Sequence, residues 1–392
     1  MIEMYFLMHK DIKLAAFTVD GDDILNVKYT ADENARKHLP VGYEHDIKAW
    51  LHNRGVPAAR FRIQSLDPMQ TPFRYMLANY GLSLSDTYWV CPLTSAPKWE
   101  DMNLYNNEFR DTPALEFQNS YTADITGKTN FTPSATLKGD LRKKWIIDEN
   151  GQRILVKGSY GSSCIQSISE VFASAIYKTQ PYRIPYVPYG FIKLSAGGRE
   201  ILGSTCPAFT NEHTEFVSAY DLLRAYKKPN NMNTFQFYKY LVQKLTGQNT
   251  DEFYDMMLMV DFVITNTDRH FNNFGVLRDA DTLSFIGPAP VFDNGNSLFY
   301  KQDYVPTGKA LLDIEVTSFK TTEVKLLKEV QNRKLLDIAH LPTKEQLNTL
   351  LIKDTAMPQE RRESIVRAYL KKIEYLHDFQ QGADIWTREY RK

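Results

Sequence analysis

The sequence predicts an α+β protein built of two lobes, β-rich first and helical second, with a small α/β unit in front. Two observations carry this. The middle of the chain runs hairpin, helix, hairpin: "LRKKWIIDENGQRILVKG", then "VFASAIYKT", then "YGFIKLSAGGREILGSTCPAF". From about residue 211 the pattern changes to helical spacing, with apolar residues at i, i+3 and i+4 in "SAYDLLRAYKK", "TFQFYKYLVQKL" and "TDEFYDMMLMVDFVI". The boundaries this suggests are 1–115, 116–210 and 211–392.

In order along the chain, residues 1–115 alternate short apolar runs ("YFLMH", "LAAFTVD", "DILNVKYT") with polar turns, and "HDIKAWLHNRG" reads as a helix. This unit offers no chemical motif and reads as a scaffold or lid. In the middle segment, Asn150-Gly151 predicts a hairpin with a type I′ turn, which needs positive φ at both central positions. Ser167 followed by Glu170 predicts a capping box at the start of the next helix. A second strand pair turns at Gly197-Gly198. In the last segment, Thr250 suits an N-cap, with Asp251 and Glu252 at the positive end of the helix dipole. The helix that follows is apolar nearly all round and so belongs at the centre of a core. Two short strands interrupt the helices within 275–293, and the tail beyond about 320 is charged and helical.

Composition narrows the class. Lys plus Arg equals Asp plus Glu at 47 each, so no net field draws the chain to nucleic acid or an anionic membrane. Three widely spaced cysteines without a CxxC pair argue against a zinc site or a disulfide scaffold and fit a reducing cytoplasm. The N-terminal apolar run is too short for a signal peptide, and no run is long enough to span a membrane.

The chemistry concentrates in "ITNTDRHFNNFG" (264–275), where an apolar helix releases into Asp268, Arg269, His270 and Asn273. Asp and Asn five residues apart on one loop have the spacing of a kinase catalytic loop, the Asp accepting a hydroxyl proton and the Asn holding Mg²⁺. "VFDNGNS" follows, and Asp293 there would be a second metal ligand. Lys157 ends the strand "RILVK" and could pair with Glu170, although the capping box already accounts for that glutamate. "GSYGSSC" (158–164) lacks the GK[ST] ending of a P-loop and reads as a strand-to-helix connection. The nucleotide loop falls instead in "FTPSATLKGD" (131–140), where Ser134, Thr136 and Gly139 offer amides and hydroxyls, without a GxGxxG. His270 reads as a residue that orders the loop, and Arg269 and Asn272 as solvated.

"NTDRHFNNFGVL", "APVFDNG" and the hairpin-lysine-helix unit resemble the HipA-like serine/threonine kinases of bacteria. "LMHKDIKLAAF", "LPVG" and "GLSLSDTYWV" resemble the leading domain of a Gram-positive branch of that family. The resemblance implies a bilobal protein-kinase-like fold, ATP and Mg²⁺ as cofactors, and a protein substrate. It implies Asp268 as the catalytic aspartate, Asn273 and Asp293 as metal ligands, Lys157 on the ATP phosphates, and a hinge at Cys206–Phe209 facing adenine. As partner it implies a HipB-like antitoxin or another DNA-binding regulator. One departure stands out: "TPSATLKGDLRKKW" replaces the family's serine loop with its Gly-Ala/Gln-Lys pattern, which puts inactivation through phosphorylation of Ser134 in question. Two other readings stay open, a lipid or small-molecule phosphotransferase using the same Asp-Arg-His…Asn loop, and a low-turnover nucleotide-binding module.

Overall fold

The computed structural model describes residues 2–63, 71–95, 97–109, 131–159, 161, 163–196 and 199–391. The N-terminal unit is a four-stranded antiparallel sheet of β1 (Glu3–His9), β2 (Ile12–Asp20), β3 (Asp23–Tyr29) and β4 (Tyr88–Pro92), in the order β3-β2-β1-β4. Helices Ile47–Arg54 and Pro72–Ala78 cover one face, burying Leu7, Phe17, Leu51, Phe73, Met76 and Val90. Both start on side-chain caps, Asp46 accepting from the Ala49 amide and Thr71 from Arg74, ahead of Pro72, which has no amide to satisfy.

The β-rich lobe holds β5 (Lys143–Ile147), β6 (Arg153–Lys157), β7 (Gly190–Ala196) and β8 (Arg199–Pro207), antiparallel in the order β5-β6-β8-β7. The β5–β6 hairpin forms, but not through a type I′ turn. Gly151 has φ +76 while Asn150 is not among the positive-φ residues, and the loop spans 148–152 with the Asp148 carboxylate accepting from the amides of Asn150 and Gln152. That aspartate favours a longer loop with a single left-handed residue. The Gly197-Gly198 turn lies outside the described residues.

Helix Ile165–Thr179 follows β6 and corrects a second expectation. It begins two residues before Ser167, so Ser167 and Glu170 are both buried inside it and no capping box forms. The serine that does act locally is Ser159, whose Oγ accepts from the Ser167 amide. Glu170 is thereby free of a capping role.

The remainder is helical around a third sheet, β9 (Thr214–Ser218), β10 (Gly275–Asp279) and β11 (Phe285–Pro288), ordered β11-β10-β9. β9 falls where the pattern reads as helical, because five residues are too few to show an alternation. Helix Asp251–Ile264 is the axis of the core: every residue from Phe253 to Ile264 is buried. Each large apolar side chain buried this way is worth about 1.5–3 kcal/mol. Thr250 is its N-cap by position, with no side-chain hydrogen bond. Among the described residues no helix is long and apolar enough to cross a membrane.

Candidate active site

The long apolar helix ends on Thr265, which takes a left-handed conformation (φ 58, ψ 53) unusual for a β-branched residue. The chain then turns back on itself under three polar constraints. Asn266 Nδ2 donates to Asp261 Oδ1 at 2.9 Å, and the Asp268 amide donates to Asn266 Oδ1 at 3.0 Å. Asn273 Nδ2 donates to the Asp268 carbonyl at 2.8 Å, closing the loop across its base.

Arg269 is the largest departure from the sequence reading. It is fully buried, not solvated, and binds Asp261 through Nε and Nη2 at 2.8 and 2.9 Å. Its remaining donors reach the carbonyls of Asn273 and Phe292 and the side chain of Asn294, at 2.9, 2.6 and 2.6 Å. One guanidinium thus ties the core helix, the Asp268 loop and the Asp293 segment together. Burial works against its charge, but Asp261 beside it raises its pKa above the ordinary arginine value. Asn272 is exposed, as a solvated residue should be.

At the junction with the β-rich lobe, Lys157 Nζ donates to Glu170 Oε1 and to Asp293 Oδ1, both at 2.8 Å, and to Tyr189 OH at 3.2 Å. All three ammonium protons are engaged. Burial disfavours the charge on Lys157, but the carboxylates of Asp293 and Glu170 outweigh it and hold the amine protonated. Burial opposes charge on Asp293 too; Lys157, then Lys143, still keep its carboxyl far below the usual carboxylate range. Glu170 is anchored at its second oxygen by the Asn294 amide, 2.8 Å away. Asp293 sits at φ +59, and Phe292 before it packs against Phe209, ring centroids 5.3 Å apart.

Asp268 lies across from this pair. Its Oδ2 accepts from Asn296 Nδ2 at 2.7 Å, and Asn296 Oδ1 accepts from Gln166 Nε2 at 2.9 Å. Lys157–Asp293, Glu170–Asn294 and Gln166–Asn296–Asp268 are thus among the links that join the two lobes. Burial pushes the Asp268 carboxyl up, resisted by His270 and Asn296 and reinforced by the charge of Asp293. Three oxygens stay open: among the described residues, neither Asp293 Oδ2 nor Asn273 Oδ1 accepts a hydrogen bond, and Asp268 Oδ1 has only His270 Nε2 at 3.8 Å. No cluster of three or more His, Cys, Asp or Glu forms among the described residues. A carboxylate with an amide oxygen is the kind of sparse protein donor set that a hard cation keeping waters and phosphate oxygens takes.

The other expected residues divide. Cys206 is buried on β8 opposite Leu155, and Phe209 is half-buried where the chain leaves the β-rich lobe, packed on Phe216 and Phe292. Ser134 is fully buried, and the Thr136 hydroxyl donates to the Leu82 carbonyl at 2.7 Å, so that hydroxyl faces the N-terminal unit and not the junction. Gly139 takes φ +84 at an exposed tip. Sequence reasoning missed Gln166, Tyr189, Asn294 and Asn296. The Asn-Gly-Asn run after Asp293 was the available signal. It missed Lys143 as well, which pairs directly with Lys157 across the sheet and so shares its face. Burial, then Arg60 and Lys157 nearby, push the Lys143 amine down to about 7.

No family model matches the sequence, and no curated protein matches it. Among solved structures, the chain is similar to the crystal structure of the proinflammatory kinase CtkA of Helicobacter pylori, at 16% identity and a TM-score of 0.44, over 61% of this chain and 91% of that one. At that identity and TM-score, the chemistry of the site has to be read from its own residues.

Proposed function

We propose that the chain is an ATP-dependent serine/threonine protein kinase of HipA-like type, transferring the γ-phosphoryl group to a protein hydroxyl. The observation that carries this reading is the placement of Lys157 between Glu170 and Asp293, with Asp268 across the same interlobe junction. A lysine fixed by a helix glutamate, a metal-type aspartate and a separate base-type aspartate are the parts phosphoryl transfer requires.

All three protons of Lys157 are engaged, so a phosphate oxygen would bind it by replacing Asp293, which would free that carboxylate. Asp293 and Asn273 would then hold Mg²⁺, which when bound neutralises charge on the phosphates. Asp268 Oδ1, the open oxygen, orients the acceptor hydroxyl and takes its proton as the oxygen bonds to the γ-phosphorus. The bond from phosphorus to the β–γ bridging oxygen breaks, and ADP leaves. The raised pKa of Asp268 suits that role, since a stronger base holds the proton better. Phe209 and Cys206 border the adenine side in this reading. Three buried thiols fit a reducing cytoplasm, and a HipB-like or other DNA-binding partner stays part of the proposal.

The test is purified protein with Mg²⁺ and γ-labelled ATP, alongside Asp268→Ala. Label on protein in the wild type alone supports the kinase reading. Label only in lipid or a small metabolite replaces it with another phosphotransferase. Melting shifted by ATP without transfer to any acceptor leaves a binding module.

A further inference from the structure

Residues 131–140 leave the β-rich lobe and lie along the N-terminal unit. The Val56 amide donates to the Ala135 carbonyl at 3.0 Å, the Thr132 amide to Asn79 Oδ1 at 2.9 Å, and the Thr136 hydroxyl to the Leu82 carbonyl. The strongest tie is Arg60, a fully buried residue of helix Ala58–Ile63. Its Nη1 donates to the carbonyls of Lys138 and Gly139, each at 3.0 Å, and its Nη2 to those of Leu137 and, at 3.4 Å, Ser134. One guanidinium gathers four main-chain oxygens.

Geometry then fixes the other side of the loop. In a trans peptide the carbonyl and the following N–H point in opposite directions. With the carbonyls of 137, 138 and 139 drawn to Arg60, the amides of Lys138, Gly139 and Asp140 face away from it. Among the described residues none of these three amides donates a hydrogen bond, and all three residues are exposed. Gly139, at φ +84, lets consecutive amides converge, which is how backbone forms an anion-binding concavity. A Cβ on Gly139 would come within 2.6 Å of Lys143 Nζ, so the ammonium is seated against the loop. Lys143 stands beside Lys157 across the β5–β6 ladder. The loop amides, then Lys143, then Lys157 follow one another from this loop toward the interlobe junction.

We propose that Arg60 is a positioning residue that turns the 137–140 loop into the receptor for the nucleotide's phosphate tail, making the N-terminal unit part of the nucleotide site. This rests on the nucleotide reading of the interlobe junction, and goes beyond it by giving residues 1–115 a role other than scaffold or lid. A guanidinium is needed because its planar fork can reach several carbonyls at once.

The experiment measures dissociation constants of the full chain for ATP and for adenosine, in the wild type, Arg60→Lys and Gly139→Ala. The expected result is that both variants weaken ATP by about tenfold relative to adenosine, the loss of roughly one charge-assisted contact set. Gly139→Ala keeps the test decisive should Arg60→Lys fold poorly, because the residue is exposed and the change strains the loop and shifts the flexible end of Lys143 while leaving Arg60 itself in place. Equal changes for ATP and adenosine in the folded variants would make Arg60 a merely structural residue and overturn the proposal. A wild type that binds neither compound overturns the nucleotide reading itself, a different failure from variants that bind ATP normally.

Discussion

Of two charge networks buried among the described residues, one is closed and the other has open valences. Where the N-terminal unit meets β9 and β10, Glu215 is 1% exposed and its two oxygens accept five hydrogen bonds. Oε1 takes His9 Nε2 and both the amide and hydroxyl of Thr87; Oε2 takes Arg278 Nε and Nη2. Arg278 continues to Tyr88 OH, which donates to the His38 carbonyl. The interlobe network is comparably charged, but Asp268 and Asp293 retain 25% and 35% exposure, with one oxygen of each left open. Buried charge alone does not mark function. A closed network fastens two units together, whereas an incomplete one holds room for a ligand.

The sharpest way to break that contrast is to substitute within the incomplete network. Asp268→Asn keeps the size and the contact with Asn296 but removes the base. Turnover should fall by about 10²–10⁴-fold with ATP binding preserved. Asp293→Asn should instead weaken Mg²⁺-dependent nucleotide binding. Steady-state rates and ATP titrations, with and without Mg²⁺, separate the two. Intact turnover in both variants removes these carboxylates from the chemistry.

In the closed network the expected loss is stability. Glu215→Ala leaves the buried Arg278 without its counter-charge, and removing one partner of such a pair costs about 3–5 kcal/mol. Urea denaturation should show this. A loss below about 1 kcal/mol would mean that water reaches the junction and solvates the guanidinium in place of the carboxylate.

The contrast also explains what the sequence could and could not show. In the proposed reading, Asp268, Asn273 and Asp293 are legible because a metal-and-base chemistry would demand those residue types at loop positions, so spacing alone points to them. Lys157 and the hairpin–helix–hairpin order are legible from periodicity. Arg269 is not, since a charged residue in a polar loop reads as solvated until its partner Asp261, eight residues back in an apolar helix, is seen to face it. Gln166 and Asn296 meet across 130 residues, a pairing no local pattern encodes. Arg60 and Lys143 are brought near each other by the N-terminal unit folding against the β-rich lobe, which no local pattern encodes. Glu170 shows the reverse error, in which a local capping rule suggested a role that the helix start at Ile165 does not support.

The smallest predicted effect is one of pH, and it belongs to the closed network. His38 Nδ1 meets His9 Nδ1 at 3.0 Å, a contact that requires at least one ring to be neutral. Burial, then His9 and Arg278, depress the His38 pKa, against weaker support for the charge from Glu215 and Asp281. The unfolded chain therefore takes up a proton at His38 near pH 6.5, before the folded protein does. Its stabilising contribution is full above that pH and declines as pH falls through the window beneath it. Glu215 behaves separately: its carboxyl is held far below the usual range, so its contribution persists until pH drops below the ordinary glutamate value near 4.5. Melting temperature against pH should fall gently below about pH 6.5, then more steeply in acid. His38→Gln should flatten the gentle step and leave the acid one. If the step survives unchanged in that variant, the histidine pair is not what senses the proton, and contacts other than the two imidazoles keep the junction closed at neutral pH.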